Sequence, residues 1–132
     1  MFLGGGMTIL NAADVLKRYR EEDLPEFSEI DLISVNQSGI FGNKPIHIAC
    51  IRGRVDEVNA LINGGADINS PGECGYTPLH EAVEQNFFKV VKLLLQSGAN
   101  PVIQNDFGDT PLDIARDSSQ QNIIDLLVLF NK

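Results

Sequence analysis

The same residues return every 33 positions along this chain. Pro45, Pro78 and Pro111 keep that interval, as do Gly42, Gly75 and Gly108, Ala49, Ala82 and Ala115, and Leu61, Leu94 and Leu127. Gly65-Ala66 returns as Gly98-Ala99. Several columns in one register specify stacked supersecondary units, each unable to bury its apolar faces without a neighbour. A hydrophobic content of 43% over 132 residues supplies enough apolar surface for such a stack and argues against disorder.

Each unit reads as two helices and a projecting loop. Thr77-Pro78 and Thr110-Pro111 are helix starts. Threonine at the N-cap accepts a hydrogen bond from an otherwise unpaired amide, and proline at the first helical position lacks only a donor that would go unused there. The spacing predicts a first helix over about Pro78 to Gln85, with the small Ala49, Ala82 and Ala115 where neighbouring helices approach. A break follows at Gly53, Asn86 and Ser119; glycine and asparagine tolerate a left-handed turn, and serine tolerates it less well. Second helices are predicted over Val55 to Asn63, Phe87 to Ser97 and Gln120 to Phe130, with Val90, Val91, Leu94 and Leu95 forming a helical apolar face. Gly65 and Gly98 stand where a left-handed helix terminus is expected. The turn-rich stretches 67–72 and 100–105 then read as hairpins projecting towards the next unit.

These residues carry a resemblance. Gly75-Tyr76-Thr77-Pro78-Leu79-His80-Glu81-Ala82 is similar to the first-helix motif of ankyrin repeats, and the run from Val90 to Asn100 is similar to their second helix and turn. Pro45-Ile46-His47-Ile48-Ala49-Cys50 and Gly108-Asp109-Thr110-Pro111-Leu112-Asp113-Ile114-Ala115 repeat the motif on either side. The chain resembles an ankyrin-repeat protein over about residues 36–132. The resemblance implies an all-α solenoid of stacked helix-turn-helix units with projecting β-hairpin loops. It also implies that His47 and His80 tie neighbouring hairpins together. Three positions depart from the motif. Lys44 stands where Thr77 and Thr110 stand, which weakens the first cap. Asp113 replaces the histidine of a unit that has no following neighbour, and Val102 replaces the turn asparagine seen at Asn69.

The end units are expected to be modified. Asn11 is positioned to cap a helix from about Ala12 to Glu22, with Val15, Leu16 and Tyr19 on one side, in register with the later first helices. Pro25 disrupts the place of a second helix, leaving a shorter segment near Phe27 to Leu32. The expected division is a disordered start or expression scar (1–7), a degenerate N-terminal capping unit (8–41), two repeats (42–74 and 75–107) and a C-terminal capping repeat (108–132). Leu129 and Phe130 are expected to cover the core of that last unit; the alternative is that they form a contact.

No constellation for catalysis, a metal or a cofactor emerges from the residues. His47 and His80 sit at the motif position, where a structural hydrogen bond is the expected role. Cys50 falls at a small, buried position and Cys74 on a hairpin, so they form neither a metal pair nor a nucleophilic site. Glu21-Glu22-Asp23 reads as a solvated helix end, and Gly4-Gly5-Gly6 lacks the strand and lysine of a phosphate loop. A net charge of −8 repels phosphate backbones and excludes nucleic acid as the expected partner. Two cysteines make no disulfide framework and fit a reducing, cytoplasmic setting. No apolar run approaches the roughly 20 residues of a membrane span.

The expected function is therefore a non-catalytic protein-binding module, monomeric on its own, and an adaptor or regulatory subunit. The alternative is an immunity protein or inhibitor that neutralises a toxin or other basic enzyme. The resemblance implies binding through the concave surface of hairpin tips and first helices. The tip columns supply Ile40, Glu73 and Asp106; Phe41, Cys74 and Phe107; and Asn43, Tyr76 and Asp109. The first helices supply Ile51, Glu84 and Asp117 with Arg52 and Gln85, and Tyr19 aligns with Arg52. Hairpin tips are normally polar, so Tyr76 is read as an anchor, and Phe41 and Phe107 as either anchors or packing between hairpins. Apolar anchors inside an acidic rim suit a partner surface bearing lysine or arginine.

Overall fold

The computed structural model describes residues 9–131. The expectation for residues 1–7 lies outside the described residues. Three proline-led helices fall at the 33-residue interval: α2 (Pro45–Arg52), α4 (Pro78–Glu84) and α6 (Pro111–Asp117), each with its proline in the first turn. Each is followed after a sharp turn by a partner: α3 (Val55–Asn63), α5 (Phe88–Gln96) and α7 (Gln121–Phe130). The breaks are left-handed at Gly53 (φ 70°), Asn86 (φ 61°) and Ser119 (φ 55°), as the spacing predicts. The first helices stack α2 on α4 on α6, and the second helices stack α3 on α5 on α7, giving two helical layers. Ala49, Ala82 and Ala115 are all fully buried where the first helices meet.

The helix caps follow the sequence. Thr77 and Thr110 accept from the amides of His80 and Asp113, whereas Lys44 has no acceptor to offer and its side chain makes no cap bond. The two histidines then tie their helices to the loops that follow, His47 within its own unit and His80 across to the next. His47 Nδ1 accepts from the Lys44 amide (2.9 Å) and its Nε2–H donates to the Ser70 carbonyl (2.7 Å). His80 Nδ1 accepts from the Thr77 amide (3.1 Å) and its Nε2–H donates to the Asp109 carbonyl (2.8 Å). Burial lowers the pKa of both rings, which fits this neutral tautomer. Asp113 keeps only the local half of that role, accepting from the Thr110 amide (2.9 Å).

A second ladder joins the loops. Asn36 Oδ1 accepts from the Asp67 amide (2.7 Å), and Asn69 Oδ1 accepts from the Asn100 amide (2.8 Å). Each projecting loop is closed by a short backbone bond between its arms, from Gly39 to Asn43 (2.7 Å), Gly72 to Tyr76 (2.7 Å) and Asn105 to Asp109 (2.9 Å), and by a turn bond from Gly42 to Gly39 (3.1 Å), Gly75 to Gly72 (3.0 Å) and Gly108 to Asn105 (3.0 Å). Their arms are too short for a ladder, so among the described residues the expected β-hairpins are tight turns without strands.

The N-terminal cap departs from expectation in its placement. Asn11 and Asp14 form a reciprocal capping box at the start of α1 (Ala12–Glu21). That helix packs against α3, in the second-helix layer, and not in line with α2. Residues 22–44 then cross to the other layer through a single 3₁₀ turn at Pro25–Phe27. The packing reason lies in Val15, Leu16 and Tyr19, which are buried, and in Glu57 of α3. The fully buried Glu57 carboxylate accepts from the Tyr19 hydroxyl (2.6 Å) and pairs with Arg18 (2.7 Å). Glu26 completes the cap by accepting from the amides of Phe41 (2.8 Å) and Asn43 (3.2 Å), which serves the first tip as a preceding loop would. At the opposite end Leu129 and Phe130 are exposed, so they do not cover the last unit; Ile123 and Leu127 of α7 do.

Candidate protein-binding face

The loop turns and the stacked first helices present one continuous face. Three aligned tips rise beside it, and their left-handed glycines Gly42, Gly75 and Gly108 let each chain reverse at the same height. The tips are also tied to one another: the Glu73 amide donates to Asn43 Oδ1 (3.0 Å) and the Asp106 amide to the Cys74 carbonyl (3.0 Å). Side chains at the tips are therefore held at fixed spacing before any partner arrives, which lowers the ordering cost of binding.

Burial sorts the residues that the sequence nominates. Ile40 and Phe41 are each 52% exposed and Phe107 is 70% exposed, so the two phenylalanines stand out from the tips and do not pack between loops. Glu73, Cys74, Glu84, Gln85, Asp106 and Asp117 are exposed, and Ile51, Arg52, Tyr76 and Asp109 are partly covered. Two nominations fail. Tyr19 is fully buried, because α1 lies in the other layer and the Arg52 guanidinium covers its ring at 5.3 Å. Asn43 is 4% exposed, because its amide group is spent on Glu26 (2.9 Å) and on the Glu73 backbone. Arg52 is itself engaged in a two-bond pair with Glu22 (2.6 and 3.2 Å), which leaves little of its charge for a partner.

Five of the nominated residues meet. Glu73, Cys74, Tyr76, Glu84 and Phe107 line a depression of about 250 Å³ between the middle tip, the last tip and α4. Tyr76 lies against the His80 ring (centroids 5.4 Å apart) and donates its hydroxyl to Glu84 (2.8 Å). Burial and then this bond raise the Tyr76 pKa, so the phenol stays protonated. The sixth lining residue is Glu81, which sequence reasoning passed over as part of the helix motif. A signal was available: Glu81 occupies the column of Ile48 and Ile114, so a carboxylate stands where the flanking units place isoleucine. Burial first, and then the charges of Glu84 and Glu73, raise its pKa to about 7.

The chemistry here suits recognition. The two histidines are consumed by turn-bridging bonds, Cys50 is buried with its thiol pKa raised by desolvation, and Cys74 stands alone on its tip. Among the described residues no helix is long and apolar enough to cross a membrane.

Comparison with known proteins agrees with this geometry. A search of curated proteins found no match. The family model described as ankyrin repeats, in three copies, matches residues 9–105, from the N-terminal cap to the start of the last tip. The helix pair beyond that stretch repeats the same threonine cap, proline start and left-handed break. With nearly three quarters of its length inside the match and the periodic bonds in place, the chain belongs to the ankyrin-repeat family.

Proposed function

We propose that this chain is a non-catalytic adaptor or regulatory subunit that docks a partner protein on its tip and first-helix face. Ankyrin repeats generally act as protein–protein interaction modules, and this family membership supports the reading. The single observation that carries it is the exposure of Phe41 and Phe107 on rigidly spaced tips, beside an acid-lined depression. Exposed aromatics on a fixed frame bury large area at small entropic cost. A net charge of −8 and the carboxylates around these anchors favour a partner with a basic surface. Two free cysteines, one of them exposed on a tip, support a reducing compartment such as the cytoplasm. On its own the chain is read as a monomer.

The test is capture of a partner from native lysate, its identification by mass spectrometry, and affinity measurement with purified components. Tyr76→Ala and Phe107→Ala should each weaken binding by more than about 1 kcal/mol while the thermal melt of Phe107→Ala stays unchanged. Unaltered affinity in both variants would remove this face from the account. The acidic face also favours an inhibitor role against a basic enzyme. In that case the identified partner is a toxin or nuclease, and co-expression of this chain protects cells from it.

A further inference from the structure

Glu81 is 8% exposed, yet its carboxylate has no hydrogen-bond or ion-pair partner among the described residues. It lines the depression formed with Glu73, Cys74, Tyr76, Glu84 and Phe107. Its oxygens are not sealed from solvent, so they stay open to a ligand through that depression, and a carboxylate placed this deeply is normally paired or neutral. The other buried carboxylates of the fold are satisfied. Glu57 is met by Tyr19 and Arg18, and Glu26 by the amides of Phe41 and Asn43. Glu81 alone among them faces an open cavity, and that cavity is lined by three glutamates, two aromatic rings and a thiol, with no basic side chain.

Resting on the docking face proposed above, we propose that this cavity receives one arginine side chain of the partner, with its guanidinium against Glu81 and Glu84 and between the rings of Tyr76 and Phe107. A volume of about 250 Å³ admits a single long side chain and not a helix. Arginine fits better than lysine for two reasons. Its planar fork can bond two carboxylates at once, and its weakly hydrated face stacks on aromatic rings. Glu84 already holds the Tyr76 hydroxyl through one oxygen, which fixes its carboxylate and the ring together as a wall of the site. Glu81 supplies the floor, and it is the group that gains most from a cation.

Binding should release a proton. Glu81 has a pKa of about 7, so near neutrality a sizeable share of it is protonated, and a guanidinium stabilises the charged form. The groups that face it are Glu84 on its own helix, Glu73 on the tip and Cys50 on α2, whose thiol stays protonated. His80, one residue before it, is held neutral by burial and by its bonds. The charged residues of the neighbouring helices are Arg52 on α2, Lys89 and Lys92 on α5, and Asp113, Arg116 and Asp117 on α6. No cation among them lies within 4.0 Å of Glu81.

The test uses the full chain and three end-blocked tripeptides, alanine–X–alanine with X as arginine, citrulline or lysine, followed by amide NMR at fixed ionic strength. The arginine peptide should give saturable shifts at Tyr76, Glu84 and Phe107, with citrulline and lysine at least about tenfold and about threefold weaker. Glu81→Gln should weaken the arginine peptide about tenfold and remove the gain in affinity between about pH 6 and pH 8. Phe107→Ala, at an exposed position, should weaken it about threefold with an unchanged spectrum elsewhere. Non-saturating shifts, equal citrulline binding, or full affinity in both variants would overturn the pocket. If partner capture is lost in Phe107→Ala but survives Glu81→Gln at full affinity, the docking face stands and the arginine site falls. Shifts that appear only with a second copy of this chain would assign the cavity to self-association and also overturn it.

Discussion

Single carboxylates decide much of this molecule's chemistry, and they do so in opposite ways. Glu57 is buried and answered by Tyr19 and Arg18, while Glu81 is buried and unanswered. An ordinary glutamate value is 4.5, and Glu81 is raised to about 7 in the fold. The unfolded chain therefore loses this proton first as pH rises, so Glu81 subtracts stability progressively between those two values and by a constant amount above them. His47 and His80 act in the reverse sense. Their folded pKa values are depressed from 6.5, so their contribution is present above 6.5 and lost as pH falls. The two trends overlap, and the difference between wild type and Glu81→Gln isolates the carboxylate. In urea melts the variant should gain on the wild type from about pH 5 to about pH 8, to roughly 1–3 kcal/mol. A difference that stays flat with pH would contradict the assignment. At the cap, Tyr19→Phe removes one bond from a buried charge and should cost roughly 1–3 kcal/mol in the same assay. Glu81 was legible in the sequence only as the odd member of an isoleucine column. Tyr19 is misplaced by the register that aligns it with Arg52, because its burial depends on which layer α1 joins.

Helices are the best-determined level here because their ends are chemically marked. Pro45, Pro78 and Pro111 begin helices, Thr77 and Thr110 cap them, and Gly53, Asn86 and Ser119 break them in left-handed conformations. Those are local properties, and local properties can be read from sequence. The position of α1 is not local. The 33-residue register holds for the Asn36 ladder, but it fails upstream of that, where residues 22–44 cross between layers and contact with α3 decides the helix's place. The loops are expected as β-hairpins, and their short arms allow one bond between the arms of each tip beside the turn bonds within it. Two contrasts test these statements. A Cβ added at Gly53 would meet the Phe87 ring at 2.9 Å, whereas one added at Gly65 meets nothing within 4 Å. Both glycines have positive φ, so Gly65→Ala should cost about 1 kcal/mol for backbone alone and Gly53→Ala clearly more, as read from thermal or denaturant melts. Lys44→Thr should supply the missing cap of α2 and stabilise by about 1 kcal/mol; no gain would mean that the His47 bond to the Lys44 amide already suffices.

The whole molecule is a stack whose bridges either stay within a unit, as His47 to Ser70 does, or reach the next, and none skips one. His47 bonds Ser70, His80 bonds Asp109, Asn36 bonds the Asp67 amide and Asn69 the Asn100 amide. This nearest-neighbour wiring makes a rigid frame from weak parts, and the frame sets the spacing of Phe41, Tyr76 and Phe107 along one side. The repeat and its family were therefore plain in the sequence, as was the side of the stack that carries the exposed aromatics. The depression was not, because it needs two tips and a helix from separate units brought together. The ends were least legible: Leu129 and Phe130 were expected to close the last unit and are exposed. The claim that binds all three scales is that a partner sits on the tips and first helices. Hydrogen–deuterium exchange on the complex with its identified partner tests it most directly. The account predicts slowed exchange at residues 40–43, 73–76 and 106–109 and along α4. Protection confined to α3, α5 and α7, with those tips exchanging as in the free chain, would contradict it.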